Sequence, residues 1–180
     1  MLIVSRLAKI HRENKEIDMN QPIVLPGTEV HTVHSDIIDF DFEISIHHPI
    51  ADPGTPLPVV YATDANMGMG FTVNMTNMLV LGGEIPPVLT VGIGYPVDGS
   101  DMEFITNRRM YDFSPTVDEF QTGQLSESDL ASGTVNAGGA PNFIRFMQDE
   151  LWPWLTGRFN VTDDRTYVGD SMGGLFGTYV

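Results

Sequence analysis

The stretch Gly169-Asp170-Ser171-Met172-Gly173 constrains this chain more than any other. A strand-like run, Thr166-Tyr167-Val168, leads into it, and Gly174-Leu175-Phe176-Gly177-Thr178-Tyr179-Val180 behind it can open a helix. Strand, sharp turn with serine at the tip, then helix is the order that a G-x-S-x-G nucleophile elbow requires. A serine held in such a strained turn draws together the backbones two residues before and after it. A Cβ at either place would clash, which accounts for both glycines. The helix behind the serine aims its free N–H groups and positive dipole end at any oxyanion forming in front of it. Glycine makes up 18 of the 180 residues, so about 0.1 such pentapeptides arise by chance. The motif carries weight only if the upstream chain agrees with it.

The length suits one domain with a sizeable core, and 42% apolar with 18% charged residues reads as globular. A formal charge of −15 with only nine Lys and Arg leaves no basic run to neutralise phosphates, which argues against nucleic acid as a partner. It also disfavours an anionic membrane surface. The absence of cysteine excludes disulfides and Cys-based zinc sites. The apolar start Leu2-Ile3-Val4 is broken by Arg6 and Lys9, too early for a signal peptide, and no transmembrane run follows, so the expectation is a cytoplasmic protein. Nothing in the pattern specifies an oligomeric state.

Two strands are expected, Glu29 to His34 and Asp39 to His47. In the second, Phe40, Phe42, Ile44 and Ile46 alternate with polar residues, which predicts one buried and one wet face. His47 and His48 are adjacent on that strand and point to opposite faces, so they do not form a metal pair. After the Pro/Gly/Asp loop Pro49 to Pro56, Leu57 to Tyr61 reads as a strand covered on both faces. A glycine-weakened helix over Met67 to Leu81 and another buried strand, Pro87 to Ile93, follow. Strands alternating with helices imply a parallel sheet with right-handed crossovers. Pro96 to Gly139 reads as one long insertion, its Arg108–Pro115 half functional and its half from Asp118 to Asn136 mobile. Pro141 then starts a helix whose apolar face is Phe143, Met147, Leu151 and Trp154, kinked at Pro153. These Met and aromatic side chains read as core, and no cofactor or metal site is expected.

This order of parts resembles the first two-thirds of an α/β-hydrolase, a mostly parallel sheet with antiparallel N-terminal strands. More narrowly it is similar to the esterase D-like family and its branch related to siderophore esterases. The matching stretches are Leu57–Asn66, Gly94-Tyr95-Pro96, Arg108–Thr116, Gly138–Pro153 and Tyr167–Gly174, which span most of the chain from Thr28. Ala65 departs from the glycine the family often has after the Asp. The resemblance implies a serine hydrolase of carboxylic esters or thioesters, with Ser171 as nucleophile and a small-molecule substrate. It implies that the N–H of Met172 is one oxyanion donor and the N–H of Asn66 the second, with Ala65 next. Asp64 then reads as bracing its loop, as a strand-end Asx turn. Arg108, Arg109 and Tyr111 are candidates for an anionic group on the substrate, with a structural salt bridge or a solvated pair as the alternative for the arginines.

In α/β-hydrolases an acid and then a histidine follow the serine. All five histidines here (His11, His31, His34, His47 and His48) precede Ser171, and no acid follows it. The expectation is therefore residues 1–27 as tail and lead-in and 28–180 as a partial domain, truncated after the elbow and inactive alone. A non-catalytic remnant of the fold, or an acyltransferase of the same family, stands beside the hydrolase reading. Residues 1–18 read as a tail or as a translation artefact upstream of Met19. N-terminal sequencing of the native protein distinguishes these: a first residue of Met19 is the artefact outcome, and Met1 excludes it.

Overall fold

A computed structural model describes residues 24–97, 101–117 and 136–180. The tail expected over residues 1–18, and nearly all of the stretch expected to be mobile (118–135), lie outside the described residues. Strands β1 (Thr28–Ser35) and β2 (Phe40–His47) form an antiparallel hairpin. Then come β3 (Leu57–Ala62), helix α1 (Ala65–Leu81), β4 (Leu89–Gly94) and helix α2 (Met102–Phe113). A composite helix follows, with α3 (Ala140–Arg145), a π-helical segment Phe146–Leu151 and α4 (Trp152–Thr156). Strand β5 (Val161–Val168) and helix α5 (Met172–Tyr179) complete it. Among the described residues one five-stranded sheet has the order β1-β2-β4-β3-β5. β2 and β4 are antiparallel, while β3 runs parallel to both β4 and β5. The C-terminal ends of β3, β4 and β5 therefore share one edge, where a ligand crevice is expected in an open α/β sheet.

Each sheet face has its own cover. Phe42, Ile44 and Ile46 face the composite helix, and Phe42 stacks on Phe146 at 4.4 Å and tilts against Phe143 at 5.6 Å. Helix α1 covers the opposite face through Ala65, Met69, Thr72, Val73 and Thr76, one stripe at helical spacing. Gly92 permits this approach, because a Cβ there would lie 2.6 Å from Met69 Sδ and 2.9 Å from Ala65 Cβ. The expected wet face of β2 is accordingly corrected over its second half. Ser45 and His47 are buried under α1, and His47 Nε2 lies 3.2 Å from Asn77 Oδ1. Alternation reveals which residues share a face; it does not reveal whether a distant helix later covers the polar one.

The supposed insertion also holds regular structure. Asp101 caps α2 by accepting the Phe104 N–H at 3.1 Å, Glu103 sits in its first turn, and Ile105, Met110, Asp112 and Phe113 turn inward. The Arg108–Pro115 half is thus a packed helix and its C-terminal exit, where a functional loop was expected. In the composite helix the expected apolar face breaks phase. Phe143, Met147 and Leu151 are buried as expected, but Leu155 replaces Trp154 and Phe146 is fully buried as well. The reason is Pro153, which has no N–H to donate backwards. The chain widens ahead of it, and Trp152 N–H reaches back five residues to Met147 O. Phe146→Ala is expected to lower unfolding free energy by about 3–5 kcal/mol in urea titration. A loss below about 1 kcal/mol would instead fit an unwidened α-helix with Phe146 off its buried face.

Candidate active site

Ser171 stands exposed at the tip of the turn between β5 and α5, with φ 53° and ψ −118°. A non-glycine residue there is strained and needs its surroundings to hold it. The flanking glycines show how. A Cβ on Gly169 would lie 2.5 Å from the Gly173 carbonyl, and one on Gly173 would lie 2.6 Å from Thr63 Oγ1. The elbow is therefore closed on itself and pressed against the end of β3. In α5 the first intrahelical bond runs from Leu175 N–H to Ser171 O at 3.1 Å, and no described residue accepts the N–H of Met172.

The facing segment is strained too. Asp64, between β3 and α1, is left-handed at φ 58° and ψ 36°. Its carbonyl accepts the N–H groups of Met67 at 3.0 Å and Gly68 at 2.8 Å. Its carboxylate makes no Asx turn, contrary to expectation. Instead it takes a bidentate pair from Arg109, Nε to Oδ1 at 2.9 Å and Nη2 to Oδ2 at 2.7 Å. Asp64 does brace its loop, but by reaching α2 across the sheet edge. The N–H groups of Ala65 and Asn66, in the first turn of α1, have no acceptor among the described residues. The Asn66 side chain turns to the loop after β4. Its Oδ1 accepts Tyr95 N–H at 2.7 Å, and its Nδ2 donates to Tyr95 O at 2.8 Å and Val97 O at 3.3 Å. Gly94 leaves room for that amide, since a Cβ there would sit 2.6 Å from Oδ1.

A cleft of about 660 Å³ opens between these segments, with Thr63, Asp64, Arg109 and Ser171 among its lining residues. Met67 and Phe71 add exposed apolar surface from α1. Arg108 and Tyr111 are elsewhere, in a separate cavity of about 810 Å³ with Asp101, Phe104 and Asn107. Sequence grouped the three residues, but neighbours on a helix diverge by roughly 100°. Arg108 pairs bidentately with buried Asp112, at 2.9 and 2.8 Å, and its guanidinium lies 4.1 Å over the Phe40 ring. Both arginines thus already hold a carboxylate.

Each of the four described histidines has its own partners on the hairpin side of the sheet. His31 meets Trp154 edge-on, His34 bonds Asp41, His47 bonds Asn77, and His48 bonds Glu29. None of them lines the Ser171 cleft.

The matches to known proteins follow this geometry. A family profile described as "Putative esterase" matches residues 35–179. The chain belongs to this esterase family. Ferri-bacillibactin esterase BesA of Bacillus subtilis is 32% identical over 161 residues, 84% of this chain and 52% of BesA. The chain thus spans about half the length of the curated relative it matches. The crystal structure of the BES protein from Bacillus cereus superposes with TM-score 0.70 at 28% identity, over 87% of this chain and 56% of that one. An IroE-like serine hydrolase from Shewanella oneidensis gives 0.65 at 26%, over 83% and 44%. The mixed α/β sheet with its helices is the fold of these α/β-hydrolase esterases.

Three further residues are not marked by the sequence: Thr63 and Tyr167 at the site, and Asp112 beneath Arg108. Glycines at 169, 173 and 177, four apart behind an aromatic strand residue, were the available signal for Tyr167. Nothing local marks Asp112 as buried. Burial pushes its carboxyl up to about 6, against the opposing pull of Arg108. A folded-state value above the ordinary 3.8 means that the native state holds this proton more tightly than the unfolded chain. The stabilisation is complete below about pH 4 and is lost as pH rises through about 6. Urea midpoints measured between pH 4 and 7 are expected to show the native chain losing stability relative to Asp112→Asn across that window. A gain with rising pH would mean that the Arg108 pair outweighs burial.

Proposed function

We propose that this chain supplies the nucleophile and the oxyanion hole of a serine esterase. Ser171 Oγ attacks the carbonyl carbon of a carboxylic ester or thioester. The alcohol or thiol departs, and water releases the acid from the acyl-enzyme. The N–H of Met172 and the N–H of Asn66, with Ala65 next, hold the oxyanion, each worth about 3 kcal/mol of barrier. The single observation that carries this reading is the exposed, strained Ser171 facing the left-handed Asp64 loop across one cleft. The two segments present unpaired N–H groups at helix starts, as the chemistry demands. Arg109 acts here as the brace of Asp64 at the cleft wall. BesA is named a ferri-bacillibactin esterase, which supports an ester of the siderophore type as substrate.

A second reading is favoured by one observation: no described histidine reaches the cleft. Without a general base the hydroxyl keeps its ordinary weak nucleophilicity, and the 180-residue chain by itself would bind or pack without turning over. Treatment with a fluorophosphonate probe tests both readings. Esterase chemistry predicts a covalent adduct on the protein that Ser171→Ala abolishes, and labelling that persists in the variant refutes the assignment. Ester turnover by the purified 180-residue chain refutes the non-catalytic reading.

A further inference from the structure

We infer that Tyr167 is a positioning residue whose hydroxyl sets the spacing between the two N–H donors on either side of Ser171. The inference rests on the esterase reading and goes beyond it, because Tyr167 does not line the Ser171 cleft. Its ring runs beneath α5 and meets Phe176 edge-on at 5.6 Å. The hydroxyl at its tip makes two hydrogen bonds of 2.8 Å, one to the Gly173 carbonyl and one with Thr63 Oγ1. A phenol has one proton. Tyr167 donates it to Gly173 O, so it accepts from the Thr63 hydroxyl. Thr63 immediately precedes Asp64 and the Ala65–Asn66 N–H groups, and Gly173 immediately follows Met172. One oxygen atom therefore joins the two sides of the oxyanion site.

Little else spans the gap at this point. The β3–β5 register ends at Ala62 opposite Val168, and the next link, Thr63 N–H to Val168 O, is stretched to 3.4 Å. Three glycines are shaped around the bridge. A Cβ on Gly169 would lie 2.7 Å from the Tyr167 hydroxyl, one on Gly173 2.6 Å from Thr63 Oγ1, and one on Gly177 2.7 Å from the Tyr167 ring. Burial pushes the phenol up to about 12, so the donor persists across the working pH range. Donors that stabilise an oxyanion act through tenths of an ångström, and a misplacement of about 1 Å can cost about 100-fold in rate. A hydroxyl that bridges the two donor segments is well placed to hold that tolerance.

The test uses the 180-residue chain, labelled with ¹⁵N, as wild type, Tyr167→Phe, Thr63→Val, Thr63→Ser and the Tyr167→Phe/Thr63→Val double variant. The response is read across the gap. Thr63→Val is expected to shift the Met172 amide resonance, and Tyr167→Phe those of Ala65 and Asn66. Hydrogen exchange at the hydrogen-bonded amides next to them, Met67 and Gly68 on one side and Leu175 on the other, should rise about 10-fold while Tm moves by only a few degrees. The double variant should add nothing to either single change, and Thr63→Ser should restore wild-type exchange. Far-side amides that keep wild-type shifts and exchange in both single variants overturn the inference. Turnover of a p-nitrophenyl ester is a separate arm. Where the wild type shows Ser171-dependent hydrolysis, Tyr167→Phe should lower kcat about 10-fold with KM within about twofold. An unchanged kcat overturns the inference while the esterase reading stands. If no Ser171-dependent turnover occurs, the amide measurements alone decide the positioning role, and fluorophosphonate labelling of Ser171 separately decides the esterase reading.

Discussion

Everything at the candidate site depends on one close approach, Gly173 at the start of α5 against Thr63 at the end of β3. No Cβ fits between them, since one built on Gly173 would lie 2.6 Å from the threonine hydroxyl oxygen. That contact brings two strained residues, Ser171 and Asp64, to face each other across the cleft. It also sets two helix starts side by side, each with N–H groups that no described residue accepts. Helix starts concentrate positive potential, and two of them converging on one cleft favour a developing negative charge. Strain at both residues costs of order 1–3 kcal/mol each and persists only under packing such as this.

The charges serve this arrangement indirectly. An acidic chain with few Lys and Arg uses two adjacent arginines of α2 in opposite directions. Arg109 holds Asp64 on the cleft side, and Arg108 holds Asp112 in the aromatic core beneath Phe40. Both bonds are bidentate and partly or wholly buried, the geometry in which arginine outperforms lysine. Helix α2 thereby couples the loop after β3 to the packed interior. Of the readings open for these two arginines, the pairs with Asp112 and Asp64 are those of a structural salt bridge.

Much of the fold was legible because it follows from local periodicity. Alternation in Phe40–Ile46, the apolar runs at Leu57 and Leu89, and the spacing of Phe143, Met147 and Leu151 each record which neighbouring residues share a buried face. The elbow was legible for a different reason: a strained serine turn leaves glycine at two fixed positions. Three things were not legible. Helix α2 reads as loop in the sequence because its stripe of Ile105, Met110 and Phe113 is interrupted by charged residues that pair only in three dimensions. The phase break at Phe146 and Leu155 arises from widening ahead of Pro153, which a fixed 3.6-residue period cannot express. The Asp64 carboxylate reads as a local Asx turn because its partner, Arg109, is 45 residues away.

By itself the sequence determined the order of the strands and of the helices other than α2, the serine at the turn tip, the absence of thiol chemistry and the family resemblance. These are properties of residue type and short-range spacing. The tertiary structure decided which polar groups meet. It gave Asp64 to Arg109, Arg108 to Asp112, and the Tyr167 hydroxyl to both Thr63 and Gly173. Hydrogen bonds and ion pairs depend on distances of a few ångströms between segments far apart in the chain. Those distances exist only after the sheet has brought β3, β5 and α2 to a common edge.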